Sequence, residues 1–153
     1  MTSMRDAPGV KVTVPLADES GPAAENVWAD PVTETTFRVR NVPTYAYDLS
    51  NEDTIEAHEA DDGRLTFDHV VGRGGHSTYR LIPASGLAKR AFDERWAALA
   101  DEGCSYESTT GGHRYAIDVP PHADIHAVYG LLEQGEDDGV WEFEEGHCGH
   151  KVD

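Results

Sequence analysis

The sequence predicts an α+β protein. A small β-rich, barrel-like N-terminal half (1–75) precedes a ferredoxin-like βαββαβ half (76–146) and a polar C-terminal tail (147–153). Three observations carry this prediction. Before residue 85 the apolar residues alternate with polar ones in short runs, and no helical spacing occurs. After it, two stretches of helical spacing interleave with strand-like runs in the order strand, helix, strand, strand, helix, strand, which is the split βαβ succession. Between the two patterns lies Val70-Val71-Gly72-Arg73-Gly74-Gly75-His76-Ser77-Thr78-Tyr79-Arg80. Its glycines let the chain turn tightly or another group approach closely. It is therefore the expected join.

In chain order, residues 1–8 are polar and expected to fray. Val10-Lys11-Val12-Thr13-Val14 alternates as a strand does, and Pro15 with Asp18-Glu19-Ser20-Gly21-Pro22 breaks it. Val27-Trp28-Ala29 is a short apolar piece stopped by Asp30-Pro31. Thr35 to Val42 alternates again, with Phe37, Val39 and Asn41 on one face. Pro43 to Asp53 has no period and reads as an ordered loop. Thr54–Glu59 and Arg64–Val71 flank Asp61-Asp62-Gly63, and Asp-Gly between two strands is a strong hairpin signal.

Ser77 to Pro83 opens the second half as a strand. Ser85 is placed to cap a helix reaching Glu102, before Gly103. Leu87, Ala88, Ala91, Phe92, Arg95, Trp96 and Leu99 form its apolar face. Ser105–Thr109 and Arg114–Val119 are strands joined by Thr110-Gly111-Gly112-His113, and Pro120-Pro121 ends the second. Ile125, Val128, Tyr129 and Leu132 mark a second helix ending near Gly135, and Val140 to Glu144 is a last alternating strand.

The charge excludes several classes of function. The 153 residues hold 29 Asp and Glu against 12 Lys and Arg, a formal −17. A field of that sign repels phosphate backbones and anionic lipid surfaces, so neither nucleic acid nor membrane is an expected partner. The charge reads first as solvation, including adaptation to salt, and second as a docking surface for a basic partner whose binding collapses with salt. No apolar run approaches the ~18 residues of a span, and Met1 to Asp6 has no apolar signal core, which predicts a cytoplasmic protein. Two cysteines without a signal imply no disulfide framework.

The split pattern orders its four strands 4-1-3-2. One sheet edge then gathers His76 and Ser77, Pro120 to His122, and His147-Cys148-Gly149-His150. Cys104 and Cys148 fall on opposite margins, three strand spacings or roughly 14 Å apart, too far to bridge. The expected ligand-binding residues at this rim are His76, Ser77, Tyr79, Arg80 and His122, with Arg80 as a bidentate clamp for a small anion. The stretch is not a phosphate-binding P-loop, because it lacks the Lys-Ser/Thr ending. No cofactor and no metal ligand set is expected on this reading, and no catalytic residue. The alternative is a small metal-assisted enzyme using His76, His147 and His150, since imidazoles suit transition metals. Ser77 beside His76 is a poor nucleophile pair, because neighbours on a strand face opposite ways. The leading expectation is a non-enzymatic binding or regulatory module that takes a small anion or a protein partner at Gly75–Arg80. The sheet face away from the helices must be covered by the N-terminal half or by a second copy, as in a homodimer.

Several segments taken together carry a resemblance. They are Val14-Pro15-Leu16, Glu25-Asn26-Val27-Trp28-Ala29, Asn41-Val42-Pro43 with Tyr47-Asp48, the Asp53 strand leading to Asp62-Gly63, and Gly75-His76-Ser77-Thr78-Tyr79-Arg80. As a set these resemble small bacterial proteins of the DUF4265 family, over most of the chain. The resemblance implies no activity, cofactor or catalytic residue. It implies that Asn41–Asp48 and Gly75–Arg80 belong to one design, and the histidine-rich tail lies outside it.

Overall fold

The computed structural model describes residues 9–17, 21–109 and 111–152. The expected fraying of residues 1–8, the break at Asp18-Glu19-Ser20, and Thr110 and Asp153 lie outside the described residues. The protein is α+β and rich in sheet, with nine strands and two helices among the described residues.

Five strands build the first half: β1 (Val10–Pro15), β2 (Ala24–Pro31), β3 (Thr36–Val39), β4 (Thr54–Glu59) and β5 (Leu65–Gly72). Each pairs antiparallel with the next, and β1 also meets β5 in parallel at Thr13 and Thr66, so the pairings form a closed ring. Alternation puts Val12, Val14, Val27, Ala29, Phe37, Val39, Ile55 and Ala57 inside, with Ala46 and Leu49 from the following loop. The Asp61-Asp62-Gly63 turn closes as expected. Gly63 takes a φ of 84°, and the Asp62 carboxylate accepts the Arg64 N–H at 2.9 Å.

Two of these strands differ from expectation. β2 runs eight residues, past the short piece Val27-Trp28-Ala29. β3 ends at Val39, and Asn41 then satisfies Trp28 with its side-chain oxygen at 2.8 Å in place of a backbone partner.

The second half holds β6 (Ser77–Pro83), α1 (Lys89–Asp101), β7 (Ser105–Ser108), β8 (Tyr115–Val119), α2 (Ile125–Asp137) and β9 (Trp141–His147). The sheet order is β7-β8-β6-β9, and every pairing is antiparallel. The helices bury Phe92, Leu99, Ile125, Val128 and Leu132 against Tyr79, Leu81, Ile117, Val119 and Trp141, so this half has its own core. α2 is capped as its sequence directs, with the Asp124 carboxylate accepting from His126 and Ala127. α1 is not capped by Ser85. It begins four residues later, after Ala88, because Gly86 sits at a φ of 77°, outside helical space.

Gly135 shows how tightly α2 lies on β9. A methyl group there would run into the indole of Trp141. That ring is 3% exposed and donates its Nε1–H to the Leu132 carbonyl at 2.9 Å, so it cannot swing aside. Alanine gains ~1 kcal/mol in helix propensity, but overpacking costs ~1–3 kcal/mol or more. The overlap wins, and Gly135→Ala lowers stability by about 1–2 kcal/mol in urea unfolding. A stabilised variant would show that the indole moves freely.

β9 continues to His147, beyond the expected end at Glu144, and the residues after it are tied down. Gly149 donates to the Ser77 hydroxyl at 2.8 Å, and His150 contacts both Ser77 and Pro120. The polar tail expected from 147 onward is therefore continuous with the sheet through His150. Its backbone packs on His76, so a side chain at Gly149 would meet the His76 carbonyl. Both cysteines are free, and Cys104 precedes one edge strand while Cys148 follows the other.

Candidate functional site

Ser77, Tyr79 and Arg80 lie on β6 with His76 just before it, and most of their polar groups are engaged within the chain, while His122 lies apart in the turn after β8. His76 Nδ1 lies 2.9 Å from the Asp118 carboxylate. Ser77 is fully buried, with its Oγ 2.6 Å from His150 Nδ1, while His150 Nε2 lies 2.9 Å from the Pro120 carbonyl. If Nε2 carries the proton for that carbonyl, Nδ1 is the acceptor and Ser77 donates to it. Serine, imidazole and an orienting carbonyl are arranged as in a nucleophile relay. Yet the hydroxyl is sealed from solvent and already accepts the Gly149 N–H. The relay is thus a clasp that fixes the C-terminal residues.

Tyr79 is buried on the helix side of the sheet, with its hydroxyl 3.1 Å from Glu145. Burial, chiefly, raises its proton affinity. His122 is exposed and lies beside Gly103, away from Arg80's side of the sheet.

Arg80 corrects the expectation of an anion clamp. It is 1% exposed and faces the opposite side of the sheet from Tyr79. Its guanidinium donates to the carbonyls of Ala46 at 2.7 Å, Tyr45 at 3.0 Å and Pro43 at 3.5 Å. These donors hold a loop of the first half and leave no fork for a ligand. The metal-assisted alternative also fails on geometry. Both ring nitrogens of His150 are taken, Nδ1 by Ser77 and Nε2 by the Pro120 carbonyl, while His147 faces Arg73, Asp53 and Asp48, and burial above all disfavours its protonated form. Among the described residues the three imidazoles form no metal-ligating group.

The residues that do converge lie where the halves meet, on the face of the second sheet away from its helices. Glu25 on β2 accepts three backbone N–H groups, from Thr44, Tyr45 and Ala46, at 2.6–2.9 Å. It thereby shapes the loop after β3. That loop presents Tyr47 over Arg80 at 4.9 Å and Tyr45 over Arg114 at 4.8 Å. Between the two cations stands Glu144 of β9. It accepts from Arg114 at 2.6 Å and from the Tyr47 hydroxyl, and Arg80 Nε comes within 3.8 Å. The Glu144 hydrogen bond is the main cause of the raised proton affinity of Tyr47. Desolvation is the main cause of the lowered value of Arg80, and Glu144 works against it. Arg80 Nε has no hydrogen-bond partner of its own. Gly146, two residues along β9, has no side chain because Arg80 lies across it.

Beside this cluster opens a cleft of about 630 Å³. Val14, Leu16 and Phe67 of the first half form its apolar wall, and Tyr45, Tyr47, Arg114 and Glu144 close it. A larger depression, about 1080 Å³, lies along Pro83–Leu87, Gly111–His113 and Trp141–Phe143. Its polar side chains, Ser85, His113, Glu136 and Glu142, share no hydrogen bond or ion pair with one another among the described residues, unlike those of the cleft. Sequence reasoning missed Arg114, Glu144, Tyr45 and Tyr47 as a set. The signals were the aperiodic but aromatic loop Pro43–Asp53 and the family resemblance, which implies that Asn41–Asp48 and Gly75–Arg80 belong to one design.

No helix among the described residues is long and apolar enough to cross a membrane. No curated protein matches the chain. The structure is similar to the crystal structure of a hypothetical protein from Neisseria gonorrhoeae, with a TM-score of 0.79 at 20% identity, covering 94% of this chain and 97% of that one. At that identity the likeness shows the fold alone. The model of DUF4265, a domain of unknown function, matches residues 25–143, and the chain belongs to that family.

Proposed function

We propose that the protein is a non-catalytic binding module whose ligand enters the cleft between its two halves. In this reading the N-terminal ring of strands is a barrel-like half, and the C-terminal half is ferredoxin-like. The carrying observation is one apolar wall facing one polar group. Val14, Leu16 and Phe67 lie opposite the Tyr47–Glu144–Arg114 trio, in a volume of about 630 Å³. Ligand sites of small molecules are typically of this size, mostly apolar with a few placed polar groups, and common where units meet. The ligand class that fits is a small, largely apolar molecule with one hydrogen-bonding end. That end would sit at Glu144 and Arg114. The expected small anion at the Gly75–Arg80 rim gives way to this site, because Arg80 supports it from beneath.

Native mass spectrometry of the protein purified gently from its host tests the reading. The expected result is a co-purifying small molecule, retained by the wild type and lost from Tyr47→Ala. Tyr47 is 58% exposed but touches Arg80 and Glu144, so the melting temperature of the variant is measured alongside and a folded variant is required for the comparison. A wild-type chain that carries nothing, or a mass equally retained by the variant, would count against the cleft.

A further inference from the structure

The ring of strands carries a second group of chemistry-bearing side chains that the cleft does not use. Glu56 and His58 stand two apart on β4, on its outer face, while Ile55 and Ala57 point into the core. On β5 the neighbours Asp68 and His69 would ordinarily face opposite ways. They do not, because the pairing slips by one residue between Glu56 and Ala57. Glu56 is opposite His69, Ala57 is opposite Phe67, and Asp68 is the extra residue of a bulge. Both Asp68 and His69 are exposed as a result. Bulges re-aim side chains in this way and recur beside functional sites.

The slip assembles two imidazoles and two carboxylates on one patch. His58 Nε2 lies 3.8 Å from Glu56 Oε1, and His69 Nε2 lies 3.6 Å from Glu56 Oε2. His69 Nδ1 lies 3.3 Å from Asp68 Oδ2. One donor atom each from Glu56, His58 and Asp68 lie within 4.8 Å of one another. Two donors bound to one zinc at ~2.0–2.2 Å in tetrahedral geometry stand roughly 3.3–3.6 Å apart. The three donors therefore need only small rotations to close on one ion. The Thr35 hydroxyl donates to Glu56 Oε1 at 3.4 Å and helps to orient that carboxylate, as outer partners of metal ligands do. Ligands drawn from imidazole and carboxylate suit zinc and its transition-metal neighbours more than calcium or magnesium. Aliphatic carboxylate pairs alone would not make this distinction; the histidines do.

We propose that the β4–β5 hairpin is a divalent transition-metal site, with Glu56, His58 and Asp68 as ligands and His69 as the fourth ligand or the group that orients Asp68. The site is shallow and its side chains are more than half exposed apart from Glu56, so its affinity is moderate and reversible.

Calorimetric titration of zinc chloride into the metal-stripped protein, without a polyhistidine tag, tests it. The expected result is one equivalent bound with a dissociation constant in the micromolar range. Asp68→Asn and His58→Ala each weaken it at least tenfold, and the double variant abolishes it. These side chains are exposed, so the variants keep the wild-type urea midpoint, which is measured alongside. Two results would overturn the proposal. One is no saturable uptake by the wild type. The other is unchanged uptake in the double variant, which would place the zinc at other histidines.

Discussion

Arg80→Met separates the loop Pro43–Ala46 from the second sheet and lowers stability by about 3–5 kcal/mol, the range for removing one partner of a buried charged network. The methionine fills most of the volume but donates nothing. The carbonyls of Tyr45 and Ala46, and more weakly Pro43, lose the donors that Arg80 supplies. Each buried carbonyl left unpaired costs ~1–3 kcal/mol. Glu144 is affected less, since Arg114 and Tyr47 still hold it. Arg80→Lys recovers part of the loss. An ammonium keeps the charge but cannot span carbonyls on both sides of Tyr45 as a planar fork does. Urea unfolding of the two variants measures this. A loss below ~1 kcal/mol for Arg80→Met would mean that water enters and satisfies the loop. The guanidinium would then not be what joins the halves.

The same residue explains how far the sequence could be read. Period and turn chemistry were enough for the order of elements, the two helices, the Asp-Gly hairpin and the succession of the last four strands, because each is written within a few neighbouring residues. Arg80 was misread because nothing local reports its surroundings. Its partners lie 34 to 37 residues away, in a loop whose lack of period gave no clue to where it packs. An arginine beside glycines reads as a clamp for an anion until the carbonyls that fill it are known. The end of β9 was hidden for a related reason. Glu145-Gly146-His147 has no apolar alternation, since Arg80 and not an apolar side chain covers Gly146. The start of α1 failed on a single glycine with positive φ. Asp68 and His69 share the outer surface through the bulge, which breaks the register and which no local pattern of residues announces.

Asp53→Ala is the second large effect, expected at about 2–4 kcal/mol, and its size follows from which donors the carboxylate serves. Asp53 is fully buried at the end of the loop. Its Oδ2 accepts from the Ser50 N–H at 2.9 Å and from Arg73 at 2.8 Å, and its Oδ1 accepts from the Gly74 N–H at 3.1 Å. Arg73 is 43% exposed, so water replaces much of what the ion pair supplies. The backbone donors have no such recourse. They also hold a strained segment: Asp48 and Glu52 have φ of 60° and 72°, where non-glycine residues are uncommon. Gly74 must come close enough to Glu52 that a methyl group would sit 2.6 Å from its carbonyl oxygen. The loop is linked onward to β6 through Ser50 and Thr78, whose hydroxyls are 2.7 Å apart. Removing Asp53 therefore releases strain and loosens the cover over the sheet together. Arg73→Ala, which removes the ion pair and the donor to the Asp48 carbonyl at 2.8 Å but keeps the acceptor of the two backbone N–H groups, is the comparison that decides. Asp53→Ala should cost more by at least ~1 kcal/mol and should speed amide exchange at Ser50 and Gly74. Equal losses from the two variants would mean that the contacts of Arg73, and not the capture of two backbone donors, hold the loop.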